Sequence, residues 1–154
     1  MLDEKKWLQY GLPRSIDDIQ GITIHETRNY DKTIDDYLNY YANESKEDTC
    51  FHYIVDDKTI IQLMPDDYMV HHTGMYNDFG DKYTIAIVIC SNLNDSKFND
   101  SVELTVGLIN RLLETYSIDK SNVFFHRDFN IHIYDPRRLL DEFETSRNFI
   151  YRKL

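Results

Sequence analysis

The chain has 154 residues and a mass of 18.5 kDa, enough for one hydrophobic core and too little for two. Seventeen basic residues against 27 acidic ones leave a net charge of −10, a field that repels phosphate backbones and anionic membranes, so nucleic acid is not an expected partner. Hydrophobic residues at 42% suit a folded protein, no apolar run reaches the roughly 18 residues of a membrane span, and five Gly with three Pro exclude collagen-like and low-complexity chains.

The opening stretch, MLDEKKWLQYGLPRS, lacks the apolar segment of a signal peptide, so the protein is expected in the cytoplasm until something else releases it. Residues 1–20 read as a polar lead-in packed on the domain, anchored by Trp7, Leu8 and Tyr10, and residues 21–154 as a single domain. GITIHE (21–26) alternates, which predicts a strand with Ile22 and Ile24 on one face and Thr23 and His25 on the other. Ile34, Tyr37, Leu38 and Tyr41 recur at helical spacing within residues 33–44, with Thr33 placed as the N-cap. FHYIV (51–55) and TIIQLM (59–64) flank Asp56-Asp57-Lys58 and predict a hairpin. YTIAIVIC (83–90) predicts a central strand buried on both faces. Val102, Val106, Ile109, Leu112, Leu113 and Tyr116 predict an amphipathic helix over 101–116. NVFF (122–125) predicts a short strand that delivers His126, and residues 137–144 a last helix behind Pro136. The two cysteines, Cys50 and Cys90, form no CxxC pair and are expected as free, mostly buried thiols. This order predicts an α/β fold, a mixed β-sheet flanked by helices.

Histidines stand at positions 25, 52, 71, 72, 126 and 132. His25 and His126 lie in or just after β-prone runs, where a sheet can bring distant residues together, and Asp135 follows His126 by nine residues. Two imidazoles and a carboxylate, with one position left open, form the donor set of a catalytic zinc site rather than of a closed structural one. The separation between His25 and His126 matches no local motif, and the absence of HExxH excludes the helical metalloprotease pattern.

The strings GITIHET, FHYIVDDKTIIQLMP, VHHTG, YTIAIVIC and NVFFHRDF…DPRRL together resemble, in order, the zinc-dependent N-acetylmuramoyl-L-alanine amidases, which include phage endolysins and peptidoglycan-recognition proteins. The resemblance spans about residues 20–140 and implies a central mixed β-sheet flanked by helices. It implies zinc held by His25, His126 and Asp135, and a cleft histidine, His72, that hydrogen-bonds substrate or the oxyanion. His52 matches a histidine of the hairpin strand and is expected to be structural. The implied reaction is hydrolysis of the amide between N-acetylmuramic acid and L-alanine, with peptidoglycan or a muropeptide as partner and a monomer as the expected state. An anionic cell wall would repel a unit of net charge −10 unless a separate module delivers it.

Three positions depart from the family pattern. Many members carry Glu, as general base, where Val88 stands; Lys, as oxyanion stabiliser, where Ile133 stands; or Tyr where Phe51 stands. Two readings stay open. In one, the protein is an amidase whose proton chemistry uses His72 and a replacement group, His132 or Glu26. In the other, catalysis is impaired and the chain is a zinc-containing peptidoglycan-binding module, since each lost acid–base group costs about 10²–10⁴-fold. Tyr76, Phe129, Tyr134 and Tyr30 are expected in loops where they stack on sugars or line a peptide groove. Phe51 is expected to contact substrate, and Arg137 or Arg138 to meet stem-peptide carboxylates, with the other arginine pairing inside the fold.

Overall fold

The computed structural model describes residues 4–5, 11–41, 49–74 and 79–142. Trp7, Leu8, Tyr10, Tyr76, residues 42–44 of the first expected helix and residues 143–144 of the last lie outside them. The strands are β1 (Glu4–Lys5), β2 (Leu12–Pro13), β3 (Gly21–Glu26), β4 (Tyr53–Val55), β5 (Ile60–Gln62), β6 (Tyr68–Met69), β7 (Thr84–Ile89) and β8 (Val123–Phe125). The helices are α1 (Ile34–Asn39), α2 (Phe79–Tyr83), α3 (Asp95–Tyr116), α4 (His126–Phe129) and α5 (Arg137–Glu142). None is long and apolar enough to cross a membrane.

Six strands form one mixed sheet in the order β1-β5-β4-β7-β3-β8, with β4 and β5 antiparallel and the other pairings parallel; β2 and β6 pair separately. The expected mixed sheet with flanking helices is therefore present. Every residue of β3 and β7 is buried, as central strands covered on both faces require. Period-two alternation divides the core. Ile22, Ile24, Ile85, Ile87 and Ile89 pack with Phe98, Val102 and Ile109 of α3. On the other face Ile54, Ile61, Ala86 and Val88 pack with Leu38 of α1 and with Phe51. Thr23 and His25 share the parity of this second face. The parallel register sets His25 beside Val88, so a polar strand position sits at the edge of an apolar floor.

Local chemistry explains the element ends. Thr33 Oγ1 accepts the Asp36 N–H while Asp36 Oδ2 accepts the Thr33 N–H, a capping box that starts α1. Asp56 Oδ1 accepts the N–H groups of Lys58 and Thr59 and closes the hairpin turn. Helix α3 begins six residues before the expected 101, because Asn94 caps it through the Lys97 N–H and Phe98, fully buried, extends the apolar stripe one turn back from Val102. Its mostly polar first turn conceals that start in the sequence. Cys50 and Cys90 are free and buried, and burial pushes both thiols up to about 12.

His52 shows how the second face handles a buried polar ring. Its Nδ1 accepts the Ala86 N–H at 2.9 Å, so Nε2 carries the proton and donates to the Tyr68 carbonyl at 2.7 Å. Burial, then the neighbouring Arg14 charge, holds its pKa down at about 3. The unfolded chain takes up a proton near pH 6.5, whereas the folded ring refuses it. The stability from this group is therefore complete above about pH 6.5 and is lost as pH falls towards about 3. The urea midpoint is expected to fall across that window, and to fall less steeply in His52→Asn, which keeps an acceptor for Ala86. Equal slopes in the two proteins would remove His52 as the source.

Candidate metal centre and cleft

His25 is the fifth residue of β3 and is 2% exposed. His126 follows β8 directly and opens α4, a turn held by the Phe125 N–H donating to Asp128 Oδ2 at 2.8 Å. Asp135 lies on the loop before α5 and is 6% exposed. Its Oδ2 stands 3.2 Å from His25 Nδ1 and 3.0 Å from His126 Nδ1. The residue after each histidine donates its backbone N–H to Asp135: Glu26 to Oδ1 at 3.0 Å, and Arg127 to the main-chain carbonyl at 3.0 Å. Three positions far apart in sequence thus meet, and their ligand atoms lie within 4.8 Å of one another.

The protons on the rings decide what this cluster can hold. His126 Nε2 faces the Thr73 carbonyl at 3.0 Å, which only accepts, so that nitrogen carries the proton. His72 Nε2 likewise donates to the Gly80 carbonyl at 3.1 Å. Neutral His72 then presents a lone pair on Nδ1, and His25 Nε2 donates to it at 2.8 Å. Burial lowers the pKa of both His25 and His72, which keeps these rings neutral. In that tautomer neutral His25 turns the Nδ1 lone pair toward Asp135 Oδ2, and His126 Nδ1 faces the same oxygen. Burial alone would raise the Asp135 pKa, but the contacts with the imidazoles outweigh it and hold the carboxyl at about 2. An ionised carboxylate facing two imidazole nitrogens calls for positive charge among them, a ring proton or a metal ion. Zinc bonds of about 2.0–2.2 Å in a tetrahedron set ligand atoms roughly 3.3–3.6 Å apart, close to the distances from Asp135 Oδ2 to the two imidazoles. The donor set and these distances fit a zinc ion.

A cleft of about 350 Å³ opens over the cluster. Phe51 and Val88 form apolar walls beside His25, with the Phe51 ring centroid 4.9 Å from that of His25. Tyr37, Tyr41, Thr49 and Arg28 also line it; the sequence marked Tyr37 and Tyr41 only as residues of a helical stripe and gave no sign of Thr49 or Arg28. His72 lines the cleft, yet its side chain has no exposed surface and both ring nitrogens are committed. The structure thus gives it His25 as a partner instead of open access to substrate. Glu26 is bound elsewhere: Oε1 accepts the Ser91 hydroxyl at 2.5 Å and Oε2 the Arg138 N–H at 2.9 Å, anchoring the start of α5. Its carboxylate is unavailable as the replacement base.

The remaining expected residues scatter. His132 is exposed on the loop before Asp135 and does not line the cleft, and Ile133 beside it is half-buried. Arg137 is exposed at the start of α5; Arg138 pairs with Asp95 and stacks over Phe98, so it serves the fold. Phe129 lies in α4 and packs with Phe79 and Phe124 instead of a free loop. Tyr134 is held under Arg127 with its hydroxyl on Asp141. Tyr30 lines a separate pocket with Lys32 and Asp57.

Known proteins share this arrangement. The sequence model of the N-acetylmuramoyl-L-alanine amidase family matches residues 15–138. Two amidases named CwlA, from Bacillus subtilis (strain 168) and from a Bacillus species, are 33% and 35% identical over 123 residues, which is 79% of this chain. The match covers 44% and 48% of those relatives, so the chain spans less than half their length. A solved mutant endolysin from Bacillus subtilis superposes with a TM-score of 0.82 at 27% identity, covering 97% of this chain and 99% of the other. The catalytic domain of XlyA superposes with a TM-score of 0.82 at 25% identity and the same coverage. With its mixed sheet, its His-His-Asp cluster and a family match over most of its length, this chain belongs to the N-acetylmuramoyl-L-alanine amidases.

Proposed function

We propose that the chain is a zinc-dependent hydrolase that cuts the amide between N-acetylmuramic acid and L-alanine in peptidoglycan, and so acts on the bacterial cell wall. The observation that carries this reading is the convergence of two imidazole nitrogens and one buried carboxylate at the foot of an open cleft. His25, His126 and Asp135 are the residues that hold the zinc. Zinc bound there supplies a Lewis acid that polarises a carbonyl and makes water a stronger acid.

The chain's own residues supply the rest. His72 acts through His25, holding its ring by accepting the Nε2 proton. Phe51 and Val88 present an apolar wall that excludes water from one side of the reacting bond, which strengthens every charge interaction beside it. Arg28 at the rim and Arg137 on α5 are exposed cations placed to meet carboxylates of a stem peptide. His132, the replacement group expected from the sequence, is exposed and lies outside the cleft lining; it stays the proposed proton donor to the leaving amine. Tyr76, outside the described residues, keeps its expected contact with substrate as part of this proposal.

Incubation of purified peptidoglycan with the protein is expected to release free N-terminal alanine. Chelation is expected to abolish that release and zinc to restore it. His126→Ala is expected to lower turnover by at least about 10³-fold, as removal of a Lewis acid worth several kcal/mol implies. Tight muropeptide binding with zinc present and no alanine released would instead establish a binding module. A second expectation concerns the apolar floor. Val88 is the register neighbour of His25, so Val88→Glu sets a carboxylate beside the metal centre. This variant is expected to raise kcat by about 10- to 100-fold through general-base assistance. It is also expected to lower stability by about 1–3 kcal/mol through burial of a polar group. An unchanged kcat in a folded, zinc-loaded Val88→Glu protein would show that proton transfer at this position does not limit turnover.

A further inference from the structure

Both histidines of the metal cluster are oriented from one short piece of chain. His25 Nε2 donates to His72 Nδ1, and His126 Nε2 donates to the carbonyl of the next residue, Thr73. That dipeptide lies outside any helix or strand, so no ladder of main-chain bonds fixes it. It is fixed by a single carboxylate. Asp81, in α2 and 4% exposed, accepts three hydrogen bonds on Oδ1: the His72 N–H, the Thr73 N–H and the Thr73 hydroxyl, each at 2.9 Å. Its Oδ2 takes the His71 Nδ1 proton at 2.6 Å. The neighbouring Gly80 supplies the carbonyl that sets the His72 tautomer, and also accepts the Thr84 hydroxyl at 2.6 Å. A Cβ at Gly80 would stand 2.3 Å from Thr73 Cγ2, so the two segments touch with no side chain between them.

We propose that Asp81 is a positioning residue of the metal centre: by clamping His72 and Thr73 it sets the tautomer and orientation of both histidine ligands. The proposal rests on the zinc reading above. Its physical basis is that a ligand imidazole is aimed by whatever takes the proton on its other nitrogen. Here one of those acceptors is a neutral imidazole and the other a carbonyl, and both belong to residues whose backbone Asp81 holds. The carboxylate hydrogen-bonds neither zinc ligand and does not line the cleft, so its contact with the site runs through the clamp. Burying a carboxylate is costly unless its lone pairs are satisfied, and here the satisfying donors are those of the two residues in contact with the ligands.

Zinc affinity of the full chain, measured by competition with a chromophoric chelator, tests this without reference to turnover. Asp81→Ala is expected to bind zinc about 10- to 100-fold more weakly than wild type, the usual cost of removing a partner beyond the ligands. Asp81→Asn, which keeps an oxygen acceptor for the two N–H groups, is expected to stay within about threefold of wild type. Cobalt-substituted protein supplies a spectroscopic check: the ligand-field bands are expected to shift in Asp81→Ala and to hold in Asp81→Asn. A wild-type chain that takes up no zinc overturns the metal reading and this proposal with it. A wild type that binds zinc, with a folded Asp81→Ala of equal affinity, overturns this proposal alone. Should Asp81→Ala fail to fold by circular dichroism, Thr73→Val decides, because it removes one bond of the clamp and keeps the shape of the side chain. A loss of about three- to tenfold in zinc affinity supports the clamp, and an unchanged affinity overturns it.

Discussion

The arrangement of this protein depends on one carboxylate meeting two imidazoles. Asp135 receives a backbone N–H from the residue after each histidine, and its Oδ2 faces both Nδ1 atoms. The three segments come from the strand next to the sheet's edge, the end of the edge strand itself and the loop before the last described helix. One of those N–H groups meets the main-chain carbonyl of Asp135 and the other its Oδ1, so the loop is tied to both histidine segments. The carboxylate that faces the two imidazoles is stabilised by positive charge among them. The fold thus builds an attraction for a cation into its own core.

The protons follow a definite order outward from that point. Thr73 and His72 take the Nε2 protons of the two histidines, Gly80 takes the proton of His72, and Asp81 holds the whole dipeptide. Two steps are forced by the carbonyls of Thr73 and Gly80, which only accept, and the third follows because neutral His72 with its proton on Nε2 has a lone pair on Nδ1. Around this polar chain the second face of the sheet is apolar, with Phe51, Ala86 and Val88 fully or nearly buried. The contrast matters chemically, because low polarity around a few fixed dipoles keeps the imidazoles neutral and makes each remaining interaction stronger. The same walls offer no proton-carrying side chain at the positions of Phe51 and Val88.

Much of the fold was legible because it rests on local periodicity. The alternation of residues 21–26 predicts a strand, the β-prone run 83–90 a central strand, and the helical stripe of residues 101–116 the main helix. The turn at Asp56 and the cap at Thr33 follow from single side chains bonding their own backbone. The short helix α2 was missed because five residues carry no period, and the early start of α3 because its first turn is mostly polar. In the site, the resemblance carried by five short strings pointed to the three ligands. Asp81 carried no such mark, and the roles of His72 and Glu26 turned on partners 47 and 112 residues away in the chain.

Sequence by itself determined which residues alternate, which cap and which donor types are present, since propensity, periodicity and short-range hydrogen bonds are properties of neighbouring residues. It also determined that His25 shares a strand face with Thr23, because a period of two admits no other outcome once the strand forms. Only the tertiary structure decided where each ring proton goes. That depends on whether a carbonyl, a carboxylate or another imidazole stands within 3 Å or so, and those acceptors arrive from distant segments when the sheet closes. The same closure turned Glu26 towards a helix terminus, left His132 in solvent and gave Asp81 its two wards.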